Sequence, residues 1–461
     1  MRIEKDSMGT IKVPKNSYYG AQTQRAVENF QISNIAFSNP MIVSLGIIKR
    51  SAAIVNHKLE LLDEKRKNAI VKASDEVISG NFNDQFLVDV FQTGSGTSSN
   101  MNCNEIIANR ASEIMGGILG SRDPVHPNNH VNMGQSSNDV IPTAIHIAAS
   151  MEIQKTLIPS LKILAGELNC KSIEFKDILK IGRTHIQDAT PVTLGQEFSG
   201  YHQMVLNSIQ RLKNTQKHLL ELAQGGTAVG TGINTKVNFG RLMAKEISNF
   251  TSLSFTEAVN HFEAQGAQDA SVEASGALKT VAISISKIVN DIRWLASGPR
   301  SGIGELILPA VQPGSSIMPG KVNPVICESM IQICAQVIGN DSAITIGGQG
   351  GIFELNLMLP LIAHNLTQSI QILSNGCDMI STKLISGLKA NEQICSGYIE
   401  GSLAMCTSLA PVIGYDRASE IAHKAYETGK TIREIAIEEN LMGKEQLNKL
   451  LDPKNMIKPN D

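Results

Sequence analysis

The sequence predicts a mainly helical fold, and three observations carry that prediction. Hydrophobic residues make up 42 % of the 461 residues but aromatic ones only 4 %, so the interior is built from aliphatic side chains, which suit helix-on-helix packing better than a β-sandwich. Apolar residues recur at helical spacing over long segments. Between these segments lie glycine-rich stretches with few apolar residues, of the kind found at helix ends.

A chain of this length corresponds to roughly two to four domains. Composition divides it into an N-terminal mixed, mostly helical region over residues 1–135, a long helical body over 136–388, and a smaller helical cap with charged helices over 389–461. In the body a helix is expected over about Ser137 to Asn169. From Leu194, the residues Phe198, Tyr201, Val205, Leu212, Leu219 and Leu222 form one seam at alternating steps of three and four, with Ser208 and Thr215 as polar interruptions. A second stripe, Leu278, Val281, Ile285, Ile288 and Ile292, predicts a helix over about Val272 to Leu295, and another is expected over about Pro324 to Asn340. The tail from Asp452 to Asp461 reads as frayed.

The formal net charge is −2 and no block of lysine or arginine stands out, which argues against a nucleic-acid partner and leaves small acidic or neutral ligands open. The seven cysteines are scattered, with no CxxC pair and no Cys/His pattern of a metal site, so neither a metal nor another cofactor is expected. They read as reduced thiols of a cytoplasmic protein. The start MRIEKDSMGT has no apolar core of a signal peptide, and no stretch approaches the ~18–20 apolar residues of a membrane span. No membrane association is expected.

The chemistry concentrates in Pro313-Gly-Ser-Ser-Ile-Met-Pro-Gly-Lys-Val-Asn-Pro324, where glycines and prolines impose a turn-rich backbone around one cation, Lys321. Asn323 suits a helix N-cap and Pro324 a first helical position, so a helix should begin there with its N–H groups facing the loop. A lysine, an amide and a helix N-terminus converging on one place suit a carboxylate, and more so one that gains charge in its transition state. A tightly turned linker is the competing reading of the same residues.

This loop, GSSIMPGKVNP, resembles the signature GSxxMPxKxNP of the fumarase/aspartase superfamily at every fixed position. The resemblance continues through TGSGTSSNMNCNE, HPNNHVNMGQSSND, GRTHIQDATPVTLGQE, GGTAVGTGIN and WLASGPRSGIGE in the expected order, over nearly the whole chain. It implies a three-domain fumarase/aspartase fold whose central long-helix bundle assembles into a homotetramer, with active sites where segments of three subunits meet. It also implies the chemistry: a proton is removed from the carbon next to a carboxylate to give an aci-carboxylate, and a group then leaves the neighbouring carbon.

Residue by residue, the resemblance makes Ser315 the base, and Lys321 and Asn323 the groups that hold and stabilise the substrate carboxylate. Ser95, Thr97, Ser137, Asn138 and Thr184 correspond to substrate-binding positions. His185, in a segment that reads GRTHxQDA in fumarases, is implied to act on the water or hydroxyl and to pair with a glutamate matching Glu328. Glu328 shares its stretch with Ile331, Ala335 and Ile338, so it is expected to be desolvated without that pairing. A second dicarboxylate site matches His126, Asn128 and Asn129, but the pattern departs there: Asp123 stands where bacterial members place an arginine, Arg122 is one position earlier, and Asn129 replaces an acidic residue. Aspartate ammonia-lyases carry Gln in place of His185 and Ala in place of Gly320, so both positions favour water over ammonia as the group transferred. Argininosuccinate and adenylosuccinate lyases differ in the first two segments, and a silent structural relative is disfavoured by the intact catalytic positions.

Overall fold

The computed structural model describes residues 1–459. The chain opens on the antiparallel hairpin of β1 (Arg2–Asp6) and β2 (Gly9–Val13), followed by α1 (Ala21–Asn29), α2 (Asn39–Lys58), α3 (Glu64–Ile78), α4 (Thr97–Ile114) and α5 (Ser137–Glu152). A π turn (Ile153–Leu157) joins α5 to α6 (Ile158–Glu174), and the hairpin of β3 (Leu179–Thr184) and β4 (Gln187–Thr193) leads into α7 (Leu194–Leu219). Next come β5 (Glu221–Leu222), α8 (Phe239–Thr251), β6 (Thr256–Glu257), α9 (His261–Gly266), α10 (Asp269–Leu295) and β7 (Leu306–Ile307). After these follow α11 (Val325–Gly348), the hairpin of β8 (Gly351–Ile352) and β9 (Leu355–Asn356), and α12 (Leu359–Ile380). β10 (Lys389–Ala390) pairs with β7, and the chain ends in α13 (Glu392–Gly397), α14 (Ala410–Ile413), α15 (Tyr415–Thr428), α16 (Ile432–Glu438) and α17 (Lys444–Leu450).

The long helices form where periodicity predicts them. The α7 seam runs through its two polar interruptions: Ser208 and Thr215 are buried, and their hydroxyls donate to the carbonyls of Met204 (2.9 Å) and Leu212 (2.9 Å). A hydroxyl that bonds the turn before it leaves no donor unmet, so it can occupy an apolar seam. In α10 the predicted stripe from Leu278 to Ile292 is buried throughout. α11 starts at Val325, one residue later than expected, and runs beyond Asn340 to Gly348. In the tail Pro453–Asn455 forms a 3-10 turn, whereas Asn460 and Asp461 lie outside the described residues.

Two compact units divide the chain. The first comprises Met1–Pro159, Ile209–Ala282 and Cys334–Ser374, with α2 at its centre, packed against α3, α5 and α8. Met41, Leu45, Ile47, Ile48, Ala52 and Val55 on α2 are at most barely exposed, so it is apolar on nearly every side. Lys49 lies among them and is also fully buried. Glu105 of α4 fastens α1 by accepting the backbone N–H groups of Gly20, Gln22 and Thr23 and the Thr23 hydroxyl, at 2.6 to 3.1 Å. A carboxylate at a helix N-terminus satisfies orphan donors and the helix dipole together.

The second unit comprises Ser160–Ser208, Ile283–Ile333 and Asn375–Asp461. Its C-terminal helices enclose a core of their own, including Ile399, Met405, Leu409, Ile421, Ile435 and Leu447. Thr431 and Glu434 close a capping box at the start of α16. Among the described residues, no helix is long and apolar enough to cross a membrane.

Candidate active site

The serines and threonines picked out in the first two glycine-rich segments come together in the first unit. Ser95 and Thr97 hydroxyls lie 2.8 Å apart, and Thr97 and Ser137 hydroxyls 2.7 Å apart. Asn138 lies next in line, its Oδ1 3.4 Å from the Ser137 hydroxyl and its Nδ2 donating to the Ala228 carbonyl (2.7 Å). The local cause is two helix starts. Gly96 turns the chain into α4 with φ +72°, and Ser136 caps α5 in a box with Asp139. Thr97 and Ser137 are thus first residues of helices of 18 and 16 residues, where unpaired N–H groups favour an anion. Both line a cavity of about 510 Å³, shared with Asn100, Asn128, Asn132 and Gln135.

Asp139 shows how this floor is held. Its Oδ1 accepts the Ser136 N–H (2.9 Å), and its Oδ2 accepts from Gln224, Gly225 and Thr227 (2.9 to 3.2 Å), which locks the GGTAVGTG segment against α5. Burial pushes its carboxyl up to about 6 despite these donors. Of the second-site residues, Asn128 lines the same cavity. The His126 ring instead caps the turn after it, with Nδ1 accepting from the N–H groups of Asn128 (3.1 Å) and Asn129 (3.2 Å). Burial and then the Arg122 charge lower its pKa, so Arg122 reaches the His126 neighbourhood even from its displaced position.

In the second unit, Thr184 and His185 sit at the tip of the β3–β4 hairpin. The turn consists of His185 (φ +56°) and Ile186 (φ +62°), both in the left-handed region that a tight two-residue hairpin turn requires. A β-branched isoleucine there is strained by about 1–3 kcal/mol, as occurs at functional sites. The stem below explains how the strain is held. Glu305, fully buried, receives Arg183 through two bonds (2.9 and 3.0 Å) and Lys180 at 3.3 Å, while Lys180 also donates to Glu197 (2.8 Å). Neither Arg183 nor Glu305 was singled out from sequence, although both stand in the quoted segments GRTH and GIGE; charges inside otherwise apolar strand ends are the signal.

The GSSIMPGKVNP loop forms a closed ring. Gly314 N–H donates to the Lys321 carbonyl (2.9 Å), and the Asn323 side-chain amide donates to the Gly314 carbonyl. A Cβ on Gly314 would lie 2.5 Å from that Lys321 oxygen, so only glycine lets the two strands of the ring approach. The Asn323 side chain therefore clasps the loop, in place of the N-cap role expected from sequence. Inside the ring the Ser315 hydroxyl oxygen accepts two backbone N–H groups, from Ile317 (3.2 Å) and Met318 (2.9 Å). Two donors aimed at one oxygen stabilise its anionic form. Lys321 is exposed and makes no ion pair among the described residues, so its ammonium is available to a ligand.

Glu328 corrects one expectation. It is exposed within the chain, because α11 turns Cys327, Met330, Cys334 and Val337 inward and the Glu328 stripe lies about 100° away. Ala335 and Ile338 on that stripe are exposed too. Among the described residues no hydrogen bond or ion pair joins His185 to Glu328 within the chain. Nor does any group of three or more His, Cys, Asp or Glu side chains come together to hold a metal ion among those residues.

Comparison with known proteins agrees along the whole length. A family model described as "Lyase" matches residues 9–339, and one described as "Fumarase C C-terminus" matches residues 405–458. The chain is 51 % identical over 458 residues to fumarate hydratase class II 2 of Bradyrhizobium diazoefficiens, covering 99 % of this chain and 97 % of that protein. It is 51 % identical over 460 residues to human mitochondrial fumarate hydratase, covering 99 % and 90 %. The crystal structure of a class II fumarase from Schistosoma mansoni superposes with a TM-score of 0.98 at 39 % identity, covering both chains completely. A cobalt-bound fumarate lyase:delta crystallin structure from Brucella melitensis does so at 0.95 and 43 %, covering 99 % and 100 %. With full-length identity of this order, matching family models and a superposable fold all pointing the same way, the chain belongs to the class II fumarate hydratase family.

Proposed function

We propose that the chain catalyses the reversible hydration of fumarate to (S)-malate. The observation that carries the mechanism is the Ser315 oxygen held by two backbone amides of the loop that also carries Lys321. In the malate-to-fumarate direction, Ser315 as alkoxide takes the C3 proton, and the electron pair moves into the adjacent carboxylate to give the aci-carboxylate. Lys321 and Asn323 counter the added charge. The hydroxyl then leaves C2, accepting a proton from His185, and water and fumarate result. Ser95, Thr97, Ser137, Asn138 and Thr184 hold the other carboxylate and the hydroxyl.

The parts are supplied by several copies of the chain, and we read the assembly as a homotetramer. Support comes from Leu206 on α7, Ile283 on α10, and Ile338 and Ile346 on α11, all exposed on long helices. In such an assembly Glu328 of one copy pairs with His185 of another. Sedimentation at several concentrations tests this, and a monomer at micromolar concentration would refute it. The three-part organisation, 1–135, 136–388 and 389–461, remains our domain reading, and the cytosol our reading of the compartment, which fractionation tests.

Absorbance of fumarate on addition of malate, run beside the same assay with aspartate, tests the activity. Product from malate alone is expected; product from aspartate alone would establish ammonia release instead. The second reading is disfavoured at Gly320, whose φ of +79° would strain the alanine of aspartases. Activity is expected to survive prolonged incubation with EDTA; loss restored by a divalent ion would overturn metal independence.

A further inference from the structure

Lys49 is an unusual buried lysine. It is fully enclosed in α2, and its Nζ lies 2.8 Å from Asn100 Oδ1, 3.0 Å from Asn132 Oδ1 and 3.0 Å from Gln135 Oε1. All three partners are neutral amides, and among the described residues no carboxylate forms an ion pair with the ammonium. A buried lysine without a salt-bridge partner costs free energy that packing alone does not return. The three acceptors match the three N–H groups of an ammonium, whereas a neutral amine has only two to give.

Those same three amides line the 510 Å³ cavity that Thr97 and Ser137 open onto. Lys49 thereby decides which way each amide faces. With its oxygen turned to the lysine, Gln135 donates through Nε2 to the Val131 and Met133 carbonyls (3.0 and 3.2 Å), and Asn132 donates through Nδ2 to the Gln135 carbonyl (3.1 Å). Asn132 Oδ1 also accepts from Asn104 Nδ2 (3.1 Å). The wall of the cavity is one network with a single cation at its root.

We propose that Lys49 is a positioning residue of the dicarboxylate site: its ammonium fixes the amide wall and supplies, from behind it, positive charge to the bound anion. This rests on the cavity being the substrate site, as read above. Lys49 stands behind the wall that faces the carboxylate whose charge does not change in the reaction, so it acts on affinity more than on turnover.

Titration gives a direct readout. Burial lowers Lys49 to about 8; Cys103 on α4 and Asp139 on α5 face it, and of these two only the Asp139 carboxylate is charged near pH 8 and opposes the shift. The segment of Asn132 and Gln135 presents only amides to it. Cys103 is itself pushed up to about 12 and Asp139 up to about 6, so neither changes charge near pH 8. Above about 8 the ammonium loses a proton, and anion affinity falls; a bound dianion favours the charged lysine, so binding at that pH takes up a proton.

The experiment is calorimetric binding of succinate, a non-reacting dicarboxylate, to the wild-type protein at pH 8 in buffers of different ionisation enthalpy. Uptake on the order of half a proton per site is expected at pH 8. Lys49→Met should abolish the uptake and weaken succinate on the order of tenfold, with a similar rise in KM and little change in kcat. Lys49→Arg should recover affinity without uptake. Absence of uptake in the wild type overturns the proposal, as does Lys49→Met with wild-type affinity or with kcat alone reduced. If Lys49→Met does not fold, the wild-type measurement decides by itself. Uptake in a protein that fails to interconvert fumarate and malate would sink the assigned reaction and leave the role of Lys49 standing.

Discussion

Lys321→Met is expected to lower kcat on the order of 10²-fold or more, with a much smaller change in KM, because the charge it meets arises only after the proton has left C3. Methionine keeps the length and most of the volume of the lysine stem, and Lys321 is exposed, so the loop ring of Gly314, Lys321 carbonyl and Asn323 is preserved. Those ring bonds use the backbone of residue 321 and not its side chain. Initial rates from fumarate absorbance, taken in both directions, measure the effect. Turnover near that of the wild type would remove Lys321 from the mechanism.

His185→Asn is expected to reduce kcat on the order of 10²- to 10⁴-fold, the range for losing a general acid–base. The tip is exposed, and asparagine accepts a positive φ more readily than histidine does, so the hairpin should be retained or improved. Thermal melting and sedimentation should therefore match the wild type. A variant that is active but dissociated would make His185 a structural residue.

The parts of this molecule governed by periodicity were legible in the sequence. The stripes of α7 and α10 follow from residue spacing, and even Ser208 and Thr215 obey it once their hydroxyls bond the preceding turn. Identity of the site residues was legible by resemblance, but the reason Ser315 can act was not. It depends on the N–H groups of Ile317 and Met318, whose direction is a property of folded backbone. The surroundings of Glu328 do not follow from spacing: a helical stripe containing Ile331 and Ile338 reads as buried, whereas within one chain that stripe is open. Lys49 is not legible as a buried charge for the opposite reason: preceded by Ile47 and Ile48 and followed by Arg50, it has the sequence setting of an ordinary helix lysine, and only the packing of α2 on every side encloses it.

The β3–β4 stem has a bulge on β4, where Ala189 and Thr190 together face the single residue Gly182 between Ile181 and Arg183, and a Cβ added at Gly182 would lie 2.6 Å from the Thr190 carbonyl. Beyond it Arg183 opposes Asp188, Thr184 opposes Gln187, and the two-residue tip has no slack. The aim of the imidazole is thus a matter of counting residues. One residue added between Gly182 and Thr184 would turn the tip to the other face, and one removed would do the same. This segment can drift in composition but not in length, so among active members of the family the distance from this glycine to the histidine should behave as a constant.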